Sequence, residues 1–160
     1  MKESSTKFFV LLATFVVISF SFRQSDDSFA NDYVVFAGAS TDFHIMDSVA
    51  KVISSKTNIE YRNDLEYDRG RGMIVPDTSS DEIYRGTYYP RRYTGERISV
   101  EMVWYYKSGS LADDDSSKTM CILTGIFSNR KDAAANLKKV KAIVPDAYMK
   151  KVRLYQGCMH

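Results

Sequence analysis

The feature of this sequence that most constrains its fold is an internal repeat. When the chain is shifted by 87 positions, residues 33–42 align with residues 120–129, so that Gly38 falls on Gly125 and Asp42 on Asn129. In each copy an apolar run ends near the glycine, a helical pattern follows, and a second β-like run comes after the helix. Because a repeated pattern indicates a repeated structural unit, the sequence predicts two β-α-β units in series.

The spacing of apolar residues predicts the helices and strands of each unit. Residues 33–37 form a near-continuous apolar run, which is typical of a covered central strand. Apolar stripes at three- and four-residue spacing follow two predicted N-caps, which are Asp42 in the first unit and Ser128 or Asn129 in the second. The closing strands are predicted at 59–67 and 147–155. With right-handed crossovers, two such units close into a ferredoxin-like sandwich with both helices on one face.

A long segment, residues 69–118, separates the two units. The strict alternation of apolar positions over 98–106 predicts a half-buried strand, whereas 69–95 has no period and indicates an ordered excursion. Residues 109–118 have the composition of a solvated loop. We therefore predict an α+β fold: a ferredoxin-like, duplicated βαβ-βαβ sandwich with a long insertion carrying an extra strand. The excursion either covers the helix-free face of the sheet or leaves it open to a ligand.

The first 30 residues have the pattern of a signal peptide. Two lysines flank the start of an apolar stretch of about 15 residues, which is shorter than the ~20 residues that span a bilayer. Small residues at Ser28 and Ala30 predict cleavage before Asn31, so that 31–160 is a single domain. Cleavage after Ser21 and an uncleaved anchor remain alternatives. We expect a periplasmic or secreted protein without stable membrane insertion after cleavage.

Charge and cysteine content exclude some classes of protein. The formal net charge is +2, from 22 basic and 20 acidic residues, whereas non-specific nucleic-acid binders usually carry a clear basic excess. Nucleic acid is therefore not an expected partner. Cys121 and Cys158 are the only cysteines, and export would permit a disulfide between them. A buried Cys121 with a free thiol at Cys158 is the alternative.

The second unit resembles the sporulation-related repeat called SPOR. The similarity lies mainly in residues 119–157: a hydrophobic strand leads into Gly-Ile-Phe-Ser-Asn-Arg at 125–130, followed by a helix and a lysine-rich turn into 147–154. Residues 33–68 match more weakly. The resemblance implies an exported, duplicated, ferredoxin-like domain that binds peptidoglycan glycan strands in the bacterial cell envelope. The chain departs from that family in the length of its insertion and in having Ser40 where the repeat has Phe127.

Residue types that carry catalysis are sparse. His44 and His160 are far apart in the sequence and belong to no metal-binding motif, and no serine lies in a G-x-S-x-G elbow. Acidic residues concentrate at Glu66, Asp68, Asp77, Asp81 and Glu82. Paired acids hydrolyse glycosides, but these alternate with basic residues as solvated surfaces do. We predict no catalytic residue, metal or cofactor.

Binding residues are better represented. Aromatic rings and guanidinium groups interleave over 84–93 and precede two further rings on the next predicted strand. Rings stack on sugars, and arginine forks hold carboxylates; peptidoglycan offers both, although the rings also suit packing onto the sheet. The predicted ligand-binding residues are Tyr84, Arg85, Tyr88, Tyr89, Arg91, Arg92, Tyr93, Trp104 and Tyr105. A second basic zone is formed by Arg130, Lys131, Lys138, Lys139, Lys141, Lys150, Lys151 and Arg153.

These patterns predict an exported, non-catalytic binding module that recognises peptidoglycan glycan. A protein that binds an envelope partner, such as an inhibitor of or immunity protein against a cell-wall hydrolase, is the alternative. A hydrolase is a third hypothesis. The sequence identifies neither the exact ligand nor the oligomeric state.

Overall fold

The computed structural model describes residues 28–108 and 118–156. They form a mixed α+β fold with one four-stranded antiparallel sheet, one two-stranded hairpin and three helices. In chain order the elements are β1 (Phe29–Ser40), α1 (Phe43–Thr57), β2 (Glu66–Asp68), β3 (Gly72–Ile74), β4 (Gly95–Met102), α2 (Val103–Ser108), β5 (Met120–Phe127), α3 (Arg130–Lys141) and β6 (Tyr148–Tyr155). The large sheet has the order β4-β5-β1-β6, and each neighbouring pair is antiparallel.

Side-chain caps begin the two longer helices where the sequence predicts them. The Asp42 carboxylate accepts hydrogen bonds from the backbone N–H groups of His44 at 2.9 Å and Ile45 at 3.3 Å. The Asn129 side chain accepts from the N–H of Asp132 at 3.0 Å. Each cap satisfies amides that have no partner inside the helix. The cap predicted at Asp42 is confirmed, and of the two candidates for the second helix, Ser128 and Asn129, the structure uses Asn129.

Helices α1 and α3 pack on one face of the large sheet. Met46, Ala50 and Ile53 of α1 and Val140 of α3 are buried in the same cluster as apolar side chains of β1, β4 and β5. Asn136 of α3 is also buried, where its Oδ1 accepts a hydrogen bond from the Thr124 hydroxyl at 2.7 Å. The stripes read from the sequence are therefore the packing surfaces of these helices.

The opposite face of the sheet is also covered. Tyr105 and Tyr106 of α2 are buried against apolar residues of β1, β5 and β6, and Tyr88 and Trp104 pack at the margin of the same cluster. A sheet covered on both faces offers no open platform to a ligand. The sequence left open whether the face opposite α1 and α3 binds a ligand or is covered by residues 69–118. In the structure, side chains from residues 69–118 cover it.

The prediction of a strand at 59–67 is wrong. Only Tyr61 pairs with the large sheet, through a single parallel bridge to Ile98, and residues 66–68 belong to the hairpin. The strand that lies beside β5 is instead β4, whose residues 98–102 are all buried. A run that is buried on both faces makes a better sheet strand than 59–67, which the polar Asn63 and Asp64 interrupt.

The strand predicted at 98–106 is correct only to Met102. From Val103 the chain forms α2, and adjacent residues Tyr105 and Tyr106 are both buried in the same cluster. Neighbouring residues of a strand point to opposite faces, so a helical turn is needed to bury both rings on one side. The predicted strand at 147–155 is confirmed as β6, and β1 is longer than predicted.

Several expectations fall outside the described residues: the apolar stretch of the signal peptide, most of the loop at 109–118, Cys158 and His160. Within 28–108 and 118–156, every helix is too short or too polar to cross a membrane.

Candidate ligand-binding cleft

A cleft of about 460 Å³ lies beside β4. One wall comes from the segment after α1, including Arg62 and Asp64, and the other comes from the excursion, including Tyr89, Arg92 and Tyr93. The side chains of Arg91, Ser99 and Glu101 also line it. A cleft of this volume falls in the range of about 300–1,000 Å³ that is common for small-molecule sites.

Glu101 is the most deeply placed acid of the cleft, with only 3% of its surface exposed. Its Oε2 accepts a hydrogen bond from the Tyr88 hydroxyl at 2.9 Å and a long one from the Arg91 backbone N–H at 3.5 Å. The Tyr88 hydroxyl in turn accepts from the Met102 N–H at 3.2 Å. Because that bond occupies the oxygen of Tyr88 as an acceptor, the phenolic hydrogen is directed to Glu101.

Burial changes the protonation of this carboxyl group. Loss of solvation raises the pKa of Glu101 to about 7, although interactions with Tyr88, Ser99 and Arg91 oppose the rise. The carboxyl group is therefore partly protonated near neutral pH. Carboxyl groups whose pKa is raised by burial in a cleft are common at functional sites.

The Arg91 guanidinium is buried and holds the turn that leads into β4. Its two terminal nitrogens donate to the carbonyl oxygens of Arg97, at 2.5 Å, and Gly95, at 2.9 Å. Its Nε is buried and has no hydrogen-bond partner among the described residues. The Tyr106 hydroxyl donates to the Arg91 carbonyl at 2.9 Å and ties the turn to α2.

Two tyrosine rings of the cleft are stacked against guanidinium groups. Arg92 lies 5.0 Å from the centre of the Tyr89 ring and donates to its hydroxyl, while Tyr84 lies 4.3 Å away, ring centre to ring centre. Tyr93, 48% exposed, has Arg91 at 5.0 Å and Arg97 at 4.5 Å from its ring centre. These contacts hold the two rings in place, so the cleft presents guanidinium groups and hydroxyls beside the tyrosine rings.

The structure brings together only part of the predicted set of nine residues. Tyr89, Arg91, Arg92 and Tyr93 line the cleft, and Tyr84 supports Tyr89. Arg85 is exposed and does not line it. The other three pack on the sheet face with ring centres 5.3 to 6.5 Å apart: Tyr88, Trp104 and Tyr105.

Sequence reasoning missed Glu101 and Ser99. In an alternating strand they take the positions expected to face solvent, but β4 is buried on both faces. The sequence does carry one signal of this burial. Val103, two residues after Glu101, is apolar and aromatic residues follow it, which indicates that the second face of the strand also packs against other side chains. A carboxyl group in such a strand is the residue to examine first.

Three of the acidic residues singled out in the sequence, Asp68, Asp77 and Asp81, have structural contacts. Asp68 and Asp77 both bind Arg71, at 3.2 and 2.7 Å, and the Asp81 side chain accepts from the N–H groups of Ile83 and Tyr84 at 3.1 and 3.2 Å. Asp81 also lines the cleft, whereas Glu66 and Glu82 are exposed and do not.

None of the residues of the second basic zone lines the cleft. Lys139 on α3 forms an ion pair with Glu96 at 2.8 Å, and Lys151 and Arg153 on β6 lie over the rings of Tyr33 and Phe29. The remaining predicted members, on α3 and β6, are exposed: Arg130, Lys131, Lys138, Lys141 and Lys150.

Residues that could ligate a metal are dispersed. Among 28–108 and 118–156, histidine, cysteine and acidic side chains form no cluster of three or more that could hold an ion. His44 is exposed in the first turn of α1, and Cys121 is buried in β5, where burial raises its thiol pKa well above the usual range.

No family model, curated protein or solved structure gave a significant match when compared with this chain. The function proposed below rests on the residues that line the cleft.

Proposed function

We propose that this protein is an exported, non-catalytic module that binds peptidoglycan glycan in the cell envelope through the cleft beside β4. The observation that carries the proposal is the combination of tyrosine rings and guanidinium groups with buried polar residues in one cleft of about 460 Å³. Sugars offer hydroxyls and acetamido groups that need both donors and acceptors, and peptidoglycan adds carboxylates that suit arginine.

The cleft is a better candidate than the sheet. Both sheet faces are packed, one by α1 and α3 and the other by α2 with its tyrosines. A glycan could reach the sheet only if the buried Tyr105 and Tyr106 were displaced, which would expose large apolar rings to water. The ligand of this chain is therefore expected at the edge of β4.

We further propose that the fold is a duplicated, ferredoxin-like sandwich related to SPOR domains. The order β4-β5-β1-β6, with all neighbours antiparallel and α1 and α3 on one face, is the arrangement expected when two β-α-β units associate. In this assignment β4 closes the first unit and the hairpin β2-β3 is inserted before it. The caps at Asp42 and Asn129 occupy equivalent places in the two units.

Binding without cleavage follows from how the acids of the cleft are engaged. Hydrolysis of a glycosidic bond usually needs two carboxyl groups on either side of it. Asp64 is paired with Arg62 at 3.3 Å and Arg97 at 3.4 Å, and Asp81 accepts from two backbone amides. Glu101 is then the one acid lining the cleft that has neither an ion pair nor a capping role among the described residues.

Co-sedimentation with purified sacculi tests this function. The wild-type mature protein is expected to pellet with sacculi, and Tyr93→Ala and Arg92→Ala are expected to reduce the bound fraction several-fold. Tyr148→Ala is the matched control, because Tyr148 is 52% exposed, close to the 48% of Tyr93, but lies on β6. Sedimentation no better than that of an unrelated protein of similar charge would refute glycan binding.

One observation favours binding to an envelope protein as the second candidate. Ile83, in the excursion, has 68% of its surface accessible, and a single exposed apolar side chain next to tyrosines and arginines in the sequence is a common anchor at protein interfaces. Ile83→Asp should then abolish inhibition of a wall hydrolase and leave sacculus binding unchanged. A wild-type protein that does not inhibit wall hydrolases would show that the inhibitor hypothesis is wrong, and an Ile83→Asp variant that inhibits like the wild type would show that Ile83 is not the anchor.

A further inference from the structure

Three buried polar side chains line the cleft together: Arg91 is 6% exposed, Ser99 is 4% and Glu101 is 3%. The Nε of Arg91 and the Oγ of Ser99 are both buried and have no hydrogen-bond partner among the described residues. Buried polar atoms are nearly always paired, and unpaired donors in a cleft indicate that a bound group completes them. The N–H donor of Arg91 and the Ser99 hydroxyl, beside the Glu101 carboxyl group, determine which chemical groups of a ligand fit this end of the cleft.

The fixed hydrogen bonds of Glu101 determine which of its oxygens carries a proton. Oε2 already accepts from the Tyr88 hydroxyl at 2.9 Å and from the Arg91 N–H at 3.5 Å. A carboxyl proton on Oε2 would lie between these two donors, so the proton belongs on Oε1. Protonated Glu101 is therefore a donor through Oε1, as the Nε of Arg91 and the Ser99 hydroxyl are donors.

We infer that the buried side chains of Arg91, Ser99 and Glu101 form a subsite for a carboxylate group of the ligand. A carboxylate accepts several hydrogen bonds and carries the negative charge that balances buried Arg91. The inference rests on the proposed function for its ligand, and it adds that the acidic group of peptidoglycan, rather than a sugar hydroxyl, occupies the buried end of the cleft. The lactyl carboxylate of muramic acid and the terminal carboxylate of a stem peptide share this chemistry.

The charged and titratable groups around Glu101 are consistent with proton uptake on binding. Burial raises the pKa of Tyr88, Tyr106 and Cys121 well above their usual ranges and that of Tyr105 to about 12, so these groups are neutral near pH 7. The charged groups on the cleft side are Arg62, Asp64, Asp81, Arg91, Arg92 and Arg97. Ionised Glu101 would repel a ligand carboxylate beside it, so ligand and proton should bind together.

The test is a titration of the mature protein with N-acetylmuramic acid and with N-acetylglucosamine at pH 6 and pH 8. Changes in backbone amide chemical shifts measure the binding. N-acetylmuramic acid should bind more tightly than N-acetylglucosamine at pH 6, and about tenfold more weakly at pH 8 than at pH 6, because Glu101 loses its proton near pH 7. An acetylated peptide ending in D-alanine is the third ligand, and it identifies which carboxylate source binds.

Glu101→Gln and Glu96→Gln are the paired variants. The amide introduced by Glu101→Gln cannot ionise, keeps an oxygen for Tyr88 and offers an N–H to the ligand, so the pH dependence should disappear. Glu96 lies on the same strand but pairs with Lys139 on α3, so its variant should keep the pH dependence. Should Glu101→Gln not fold, Ser99→Ala serves instead, with an expected several-fold loss of affinity for N-acetylmuramic acid and none for N-acetylglucosamine.

The outcomes separate this inference from the proposed function. Equal binding of the two sugars at pH 6, with no binding of the peptide, would overturn the carboxylate subsite even if sacculi still sediment the protein. A pH dependence that persists in Glu101→Gln would also overturn it. Tight, proton-linked binding of a carboxylate without sedimentation on sacculi would support the subsite and refute the proposed function.

Discussion

The Tyr88 hydroxyl donates a hydrogen bond of 2.9 Å to Oε2 of Glu101 and so joins the excursion to β4. This contact links the covering of the sheet to the chemistry of the cleft. The Tyr88 ring packs beside Trp104 on the sheet face, while its hydroxyl fixes the carboxyl group that lines the cleft. Tyr88 thus has two roles, because its ring packs on the sheet face and its hydroxyl orients the buried acid.

Removing the Tyr88 hydroxyl should destabilise the protein in a pH-dependent way. Tyr88→Phe keeps the ring packing but leaves Oε2 of Glu101 without its strongest donor. Hydrogen bonds to charged groups contribute about 1.5–3 kcal/mol, so the loss should approach that figure at pH 8 and be smaller at pH 5, where Glu101 is protonated. Urea unfolding at the two pH values measures the difference. An equal loss at both would show that Tyr88 does not stabilise the ionised form.

Glu101 itself should make the folded state less stable at alkaline pH. Its pKa is about 7 in the folded protein against an ordinary value of 4.5, so above pH 4.5 the folded state holds a proton that the unfolded chain has lost. Stability therefore falls as the pH rises from 4.5 to about 7 and levels off above that.

Glu101→Gln should remove this effect and be more stable than the wild type at pH 8, by an amount on the order of 2–3 kcal/mol. Near pH 4.5 the two proteins should differ little. Glu96→Gln, on the exposed end of β4, is the control and should follow the wild-type curve. A wild-type stability that rises between pH 5 and pH 7, while that of Glu101→Gln stays flat, would contradict the direction of the Glu101 shift.

The sequence predicted the elements that depend on local periodicity. The stripes after Asp42 and Asn129 gave both long helices and their caps, and the alternation at 98–102 gave β4. It failed where a distant partner decides the structure. Residues 59–67 have strand-forming character, but β4 occupies the position at the edge of the sheet. Trp104, Tyr105 and Tyr106 continue the alternating pattern but form a helix, because their rings pack on the sheet face.

The site was predicted only in part for the same reason. The mixture of rings and guanidinium groups at 89–93 was visible in the sequence, and those residues do line the cleft. Glu101 was not identified, because its burial depends on the excursion folding across β4; Val103 and the aromatic residues after it indicate that this face is covered but not which segment covers it. Tyr88, Trp104 and Tyr105 share the composition of binding residues, yet they are packing residues on the sheet face.

Loss of the first helix cap should cost a predictable amount of stability. In Asp42→Ala the N–H groups of His44 and Ile45 lose the carboxylate that accepts from them at 2.9 and 3.3 Å. A decrease of about 1 kcal/mol in the free energy of unfolding is expected. Thr41→Ala, one residue earlier and also exposed, is the control and should change stability by less than about 0.5 kcal/mol. Chemical denaturation of both variants checks the cap, and equal effects would refute it.

The start of β1 constrains where a signal peptide would be removed. Phe29 pairs with Tyr155 and Ala30 with Leu154, and the Phe29 ring lies 5.2 Å from the ring of Tyr155. Cleavage before Asn31 would delete these two pairs from the edge of the sheet, whereas cleavage after Ser21 would keep β1 whole. We therefore expect the mature chain to begin upstream of Ser28. Intact mass measurement after expression of the full sequence in an export-competent host tests for cleavage and locates the terminus, and a mature chain beginning at Asn31 would show that the first pairs of β1 and β6 are dispensable.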